Sequence, residues 1–229
     1  MFMIIFLIAT LAAVLLPAAW VKWTLNKYSQ PADRYRERGT GAELARHLLD
    51  EFGLGDVKVE ETALGDHYDP TEKAVRLSRS TYSGYSLTAV TVAAHEVGHA
   101  LQDARGERLF DTRQRLAKAA VQSEQVSRVL LIAAPLVLIV LKVPQASLAV
   151  LLLAVASMAI GTLVHLVTLP VELDASFGKA LPVLARGRYL HEGDLPHARR
   201  ILKAAALTYV AGSLASLLNL GRWLAILRR

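Results

Sequence analysis

The chain alternates long apolar runs with one long polar stretch. Residues 1–21 are apolar except for Thr10, and about 20 apolar residues suffice to cross a bilayer. Further apolar runs cover residues 129–143, 146–169 and 201–220, the last of which is milder and rich in Ala and Ser. This pattern predicts a mainly α membrane protein packed on about four transmembrane or membrane-embedded helices.

The same runs divide the chain into five predicted segments. A transmembrane anchor over residues 1–21 precedes a water-exposed domain over 22–128, and a transmembrane helical hairpin follows over 129–169. A polar segment over 170–200 then leads into a C-terminal membrane helix over 201–229. Because Arg222, Arg228 and Arg229 would lie outside the cell if this last helix crossed, it either spans the bilayer, lies in the membrane interface, or packs against the others without fully crossing.

The water-exposed domain carries the local signals of both helices and strands. The predicted elements are helices over 41–52 and 87–103, a strand over 57–61, and a hairpin of 63–68 with 74–77. Ser86 is expected to cap the second helix, because a side-chain oxygen at that position accepts from the first free amides. The domain should therefore combine helices with a small β-hairpin or sheet.

The formal net charge of +6 is unevenly distributed along the chain. The water-exposed domain is neutral, so the basic excess lies beside the apolar runs, as it does in the loops of membrane proteins. The positive-inside rule then puts residues 22–128 and 170–200 on the cytoplasmic side of the membrane. The basic residues are not clustered with stacking aromatic residues, so we expect no nucleic-acid partner.

One motif carries recognisable chemistry: residues 95–99 read His-Glu-Val-Gly-His, an HExxH pattern. Residues four apart share one face of a helix, so His95 and His99 can bind one ion, while Glu96 can reach a water on it. The chain has no cysteine, so His, Asp or Glu must supply every side-chain metal ligand. The pattern predicts one Zn²⁺ per chain in a zincin-like metalloprotease domain, with Glu96 as general base. The alternative is a core helix with two hydrogen-bonded histidines.

Zinc hydrolases use three protein ligands and leave one position for water. A hairpin over 129–169 would return the chain to the side of the membrane that holds the motif. Just beyond it, Glu172 is the strongest candidate for the third ligand, in a new helix that Pro170 can begin. Asp174 and His165 are the alternative ligands, or residues that contact a ligand.

A second donor should polarise the peptide carbonyl during hydrolysis. The side chains that could supply it are His67, Tyr68, Arg113 and Tyr209, and the sequence does not choose among them. The segment 63–68 precedes the motif helix and could pair, as an edge strand, with an extended substrate.

Taken together, the motifs resemble those of the YugP-like neutral zinc metallopeptidases, which are prokaryotic integral-membrane proteins. The matching stretches are residues 65–70, 75–78, 93–100, 167–176 and 204–211. The resemblance runs over nearly the whole chain and is far more specific than HExxH alone. It implies a membrane zinc peptidase with His95, His99 and Glu172 as ligands and Glu96 as the catalytic residue.

The chain is more loosely similar to the HtpX-like membrane proteases, in which a membrane hairpin also separates HExxH from a glutamate ligand. Those enzymes carry an aspartate four residues after that glutamate, whereas this chain has Ser176 there. Asp174 or Asp103 could supply the missing carboxylate.

The predicted function is that of a membrane-bound zinc metalloendopeptidase in the prokaryotic plasma membrane, with its active site on the cytoplasmic side. The expected partners are the lipid bilayer, a peptide or membrane-protein substrate, and a regulatory membrane protein that delivers substrate. Two alternatives remain open. One is an intramembrane-cleaving metalloprotease, and the other is a non-catalytic membrane adaptor with a structural zinc.

Overall fold

The computed structural model describes residues 2–141, 145–146, 148–150, 152–153, 164, 168–208 and 211. The chain divides into two compact units. The site unit, which contains the HExxH motif, comprises Leu16–Asp111 and Leu169–Thr208. The second unit takes in Met1–Leu15, Thr112–Thr168 and Tyr209–Arg229.

Helices dominate the described residues. In chain order the elements are α1 (Phe2–Tyr28), α2 (Gly41–Glu51), β1 (Lys58–Thr62), β2 (His67–Asp69), β3 (Ala74–Ser78), α3 (Arg79–Tyr82), α4 (Leu87–Ala104), α5 (Arg108–Leu141), α6 (168–173), the π-helix π1 (Asp174–Ala180), α7 (Leu181–Arg186) and α8 (195–208). The predicted motif helix is α4, and Ser86 caps it as expected, accepting from the amide of Ala89 at 3.1 Å.

The predicted packing on about four transmembrane or membrane-embedded helices is wrong. Within the described residues, no helix combines the length and the apolarity needed to cross a bilayer. In α5 the physical reason is visible, because the helix begins at Arg108 and runs unbroken through the expected boundary at residue 129. The part of α5 between Arg108 and residue 129 is therefore rich in charged and polar residues. The predicted spans over 146–169 and 201–229 fall largely outside the residues that the structure describes.

The helix predicted as an N-terminal anchor also differs from expectation. α1 continues past residue 21 to Tyr28, and its last turns form part of the site unit. Val21, Thr24 and Tyr28 are buried there, and Thr88 of α4 donates a 2.9 Å hydrogen bond to the carbonyl of Leu25. The end of α1 is thus packed against protein.

The small sheet has the order β1–β3–β2. β2 and β3 form the predicted antiparallel hairpin, with His67 opposite Arg76, although β2 is shorter than the expected strand. β1 pairs in parallel with the other side of β3, with Lys58 opposite Ala74. Arg76 ties the three strands together, since it pairs with Glu60 at 3.1 Å and also contacts Asp69.

α4 is the centre of the site unit. Its residues from Leu87 to Gln102 are buried with few exceptions, and it packs against α2, β3 and π1. α2 is amphipathic and begins with a capping box between Thr40 and Glu43, so its apolar face is fixed against α4. The HExxH motif consequently lies in the core of the unit.

A buried carboxylate ties the C-terminal part of the site unit to the segment after α1. Asp194 accepts two hydrogen bonds from Arg34, at 2.7 and 2.8 Å, and a third from the hydroxyl of Tyr35 at 2.7 Å. The Tyr35 hydroxyl also accepts from the amide of His191, whose ring stacks on that of Tyr35 at 4.4 Å. These contacts fix the start of α8.

Candidate metal centre

Three side chains from two separate parts of the sequence converge beside α4. His95, His99 and Glu172 each offer one ligand atom, and these atoms all lie within 4.8 Å of one another. Oε2 of Glu172 lies 3.4 Å from Nε2 of His95 and 3.1 Å from Nε2 of His99. All three residues are buried, so the cluster is shielded from bulk water.

The helix geometry explains the convergence of the two histidines. They are one turn apart on α4, and their rings meet edge to face with centroids 4.8 Å apart. Glu96 follows His95 on the same helix and is only 6% exposed, which agrees with a carboxylate held near the site and away from solvent.

Glu172 reaches the histidines from α6. We call residues 168–180, which form α6 and π1, the returning segment, because they bring the chain back to α4. Its side chain is completely buried. Burial alone would raise the pKa of the Glu172 carboxyl, but the imidazoles of His99 and His95 outweigh it and hold that pKa well below its usual range. The two histidine side chains therefore favour the ionised form of Glu172.

The hydrogen bonds of Ser176 determine which nitrogen of His95 carries a proton. The Ser176 hydroxyl donates to the carbonyl of Leu202 at 3.1 Å, so its only hydrogen is used. It must then accept from Nδ1–H of His95, which lies 3.0 Å away. Nε2 is then the ring nitrogen of His95 that faces Glu172, where it can bind a cation.

The same reasoning applies to His99 through Gln102. The amide nitrogen of Gln102 faces two acceptors, the carbonyl of Val171 at 3.0 Å and the carboxylate of Asp174 at 2.8 Å. Its oxygen is therefore the atom that lies 2.9 Å from Nδ1 of His99, and Nδ1 must donate. Nε2 of His99 therefore also faces the pocket.

The residues present fit a zinc ion. The Nε2 atoms of two imidazoles and one carboxylate oxygen face one another, and a bound cation would be contacted by all three. Metal-bound histidines are normally oriented by a hydrogen bond that the other ring nitrogen donates. Here Ser176 accepts that bond from His95 and Gln102 accepts it from His99. Nitrogen and oxygen donors in this number are typical of catalytic zinc.

A close approach of two backbones brings the histidines and the returning segment together. A Cβ added at Gly98 would lie 2.7 Å from the carbonyl oxygen of Ala175 in π1. A side chain at position 98 would therefore push π1 away from α4. The glycine inside the HExxH motif is what allows Glu172 and Ser176 to approach His95.

The remaining predicted ligands have other contacts. Asp174 bonds Gln102 and Lys179, the latter at 2.7 Å, so it reaches His99 only through the Gln102 amide. Asp103 accepts from the Tyr68 hydroxyl at 2.6 Å and from Lys73 at 2.8 Å. The structure does not describe His165.

The predicted carbonyl-polarising donors lie in different surroundings. Nδ1 of His67 is 2.9 Å from the carbonyl of Gly65. The Tyr68 hydroxyl is bonded to Asp103, and burial together with this carboxylate raises the pKa of Tyr68 far above its usual value. Arg113 belongs to the second unit, and Tyr209 lies outside the described residues.

Gln102 and Phe110 were not anticipated from the sequence. Gln102 is three residues after His99 on α4, and this spacing puts both on one helix face. That signal was available. Phe110 is 1% exposed and its ring lies 6.1 Å from that of His99, but no sequence pattern indicates that contact.

The comparisons with known proteins agree with this site. Residues 2–228 match the family described as "Putative neutral zinc metallopeptidase". The chain belongs to this neutral zinc metallopeptidase family. A relative in Bacillus subtilis (strain 168), "Putative membrane protease YugP", is 36% identical to this chain, and the match covers 97% of this chain and 96% of the relative. The predicted resemblance is therefore confirmed. No solved structure matches the chain.

Proposed function

We propose that this protein is a zinc metalloendopeptidase of the HExxH…E type, with one zinc ion held by His95, His99 and Glu172. The observation that carries the proposal is the convergence of two imidazole nitrogens and a buried carboxylate oxygen within 4.8 Å. Family membership supports a metalloprotease, and the donor set supports zinc.

The number of ligands favours a catalytic over a structural site. Structural zinc is held by four protein ligands, whereas catalytic zinc has three and an open position. Within the described residues, the cluster that could hold a metal contains three such side chains. The residues that the structure describes therefore leave one coordination position for water or substrate.

When bound, zinc supplies Lewis acidity that polarises a peptide carbonyl and makes an adjacent water more acidic. Glu96 is the residue that accepts the proton from the attacking water and delivers it to the leaving amine. Its burial agrees with this role, because it keeps bulk water away from the carboxylate. Ser176 and Gln102 hold the two imidazoles in place throughout.

The direct test is Glu96→Gln, which keeps the size of the side chain but removes the base. We expect zinc content to stay the same and peptide cleavage by the purified protein to fall at least about 100-fold. Glu61→Gln, at an exposed position of β1, is the matched control and should change neither. Cleavage that survives Glu96→Gln would remove Glu96 from the proposed role.

A further inference from the structure

We propose that Gln102, locked by Asp174 and Lys179, is a positioning residue that fixes the proton on Nδ1 of His99 and thereby strengthens zinc binding. The inference rests on the proposed function in one respect, namely that the ion is bound by Nε2 of His99. The inference adds to the three ligands a series of hydrogen-bonded side chains that runs from His99 through Gln102 and Asp174 to Lys179.

The Gln102 side chain is 1% exposed and all of its polar atoms are engaged. Its oxygen accepts from His99, while its nitrogen donates to Val171 and Asp174. An amide suits this position because it combines one acceptor, which faces His99, with two N–H donors, which face Val171 and Asp174. It therefore links α4 to both α6 and π1.

The orientation of this amide decides whether His99 can bind a metal. If the amide were turned over, its oxygen would face the carbonyl of Val171 and the carboxylate of Asp174, and both contacts would be repulsive. Its nitrogen would then donate to Nδ1 of His99. The ring proton would move to Nε2 and point at Glu172, where it would block coordination.

Asp174 is the group that makes the turned-over amide unfavourable, because an ionised carboxylate accepts more strongly than a neutral carbonyl. Lys179 in turn holds Asp174. Its ammonium lies 2.7 Å from Oδ2 of Asp174, the same oxygen that accepts from Gln102, and 2.9 Å from Oε1 of Glu107.

The electrostatics of this chain of contacts agree with the proposal. The side chain of Lys179 is only 11% exposed, so its charge is less screened by water than that of a surface lysine. Lys179, two side chains away from His99, should therefore influence the metal centre.

The experiment compares zinc affinity, measured by competition with a chelator, among purified full-length variants. Gln102→Met removes every polar contact at similar size, and we expect a 10- to 100-fold loss, which is the range found for residues that support a metal ligand. Asp174→Ala and Lys179→Met should weaken binding by smaller factors, in that order. Arg76→Met is the matched control, because it also removes a cation that contacts two carboxylates, in this case within the sheet. It should leave zinc affinity within twofold of wild type.

A spectroscopic readout separates positioning from a general loss of structure. In the zinc-loaded wild type, a ¹H–¹⁵N spectrum should show a slowly exchanging proton on Nδ1 of His99. Asp174→Ala should speed its exchange while backbone signals elsewhere stay in place. The Asp174 side chain is 38% exposed, so its removal should disturb the fold less than a substitution of the buried Gln102. Asp174→Ala therefore tests the proposal even if Gln102→Met does not fold.

Equal zinc affinity in wild type, Gln102→Met and Asp174→Ala would overturn the proposal, as would a wild-type His99 that carries its proton on Nε2. Peptide cleavage is measured separately. A wild type that binds zinc through Gln102-dependent contacts but cleaves no peptide would leave this inference standing and overturn the proposed function.

Discussion

The hydroxyl of Ser176 lies 3.0 Å from Nδ1 of His95. It occupies the position at which the loosely similar HtpX-like proteases carry an aspartate. A serine can orient an imidazole as a carboxylate does, provided that its own hydrogen is directed elsewhere, and here the carbonyl of Leu202 takes that hydrogen. The site is thus supported by a neutral hydroxyl at His95 and by an amide at His99.

Ser176→Ala tests this contact. The variant should lose about tenfold in zinc affinity, because nothing then orients His95 or fixes its proton on Nδ1. Thr208→Ala is the matched control, since Thr208 donates to the carbonyl of Ala204 within α8. If Ser176→Ala binds zinc as tightly as wild type in a chelator titration, the hydroxyl does not orient His95.

Gly98→Ala tests the close approach of α4 and π1. The added methyl group would meet the carbonyl of Ala175, so we expect a loss of about 1–3 kcal/mol in the free energy of unfolding, the usual cost of overpacking. Zinc affinity should fall as well, because Glu172 moves with the returning segment.

The control for that variant is Gly55→Ala. A Cβ at Gly55 meets no atom within 4 Å, so its effect reports only the general response to replacing a glycine. A Gly98→Ala protein with unchanged denaturant midpoint and zinc affinity would contradict the need for a glycine in the motif.

The Tyr68→Phe variant examines one of the predicted carbonyl-polarising donors. Because the Tyr68 hydroxyl donates to Asp103, we expect kcat to change by less than about threefold. Loss of a donor to the reacting carbonyl would instead lower kcat by about 10²- to 10³-fold. Steady-state kinetics on one peptide substrate distinguish these results, and the larger loss would assign Tyr68 to the reaction.

Asp194 makes the stability of the site unit dependent on pH. Burial would raise the pKa of Asp194, but the hydrogen bonds from Arg34 and Tyr35 outweigh it and lower that pKa. Its ionised form therefore contributes stability above the unfolded-state pKa of about 3.9. That contribution is lost as the pH falls through the lower folded-state pKa.

Asp194→Asn should consequently be destabilised by about 1–3 kcal/mol at pH 7, toward the lower end because Arg34 is partly exposed and screened. The difference from wild type should shrink below pH 4 in urea titrations. Asp56→Asn, at an exposed position, should show no such trend. A difference that stays constant from pH 7 to pH 3 would show that ionisation of Asp194 does not stabilise the fold.

Local patterns predicted much of the site. Helical spacing and an N-cap define α4, and the four-residue spacing of His95 and His99 follows from them. Glu172 could be nominated because it comes just after the apolar run that ends at residue 169. The spacing of Gln102 on α4 indicates that it lies beside His99. Its contacts with Val171 and Asp174, and the role of Ser176, could not be predicted, since they depend on how α4 docks against π1, and this docking is decided by a close backbone contact at Gly98.

Apolar runs were a poorer guide than spacing. A run of apolar residues reports that a segment avoids water, but not whether lipid or protein covers it. The end of α1 packs against the site unit through Val21 and Tyr28. α5 joins charged and apolar stretches in one continuous helix, which a division of the sequence by hydropathy separates at residue 129.

The metal centre is tested by the zinc-edge X-ray absorption spectrum of the purified wild type beside that of Glu172→Ala. We expect one zinc per chain in the wild type, bound by two imidazole nitrogens and by oxygen ligands. Zinc occupancy should be strongly reduced in Glu172→Ala. A wild type that retains no zinc, or a Glu172→Ala protein with unchanged occupancy and the same coordination, would contradict a metal centre built from His95, His99 and Glu172.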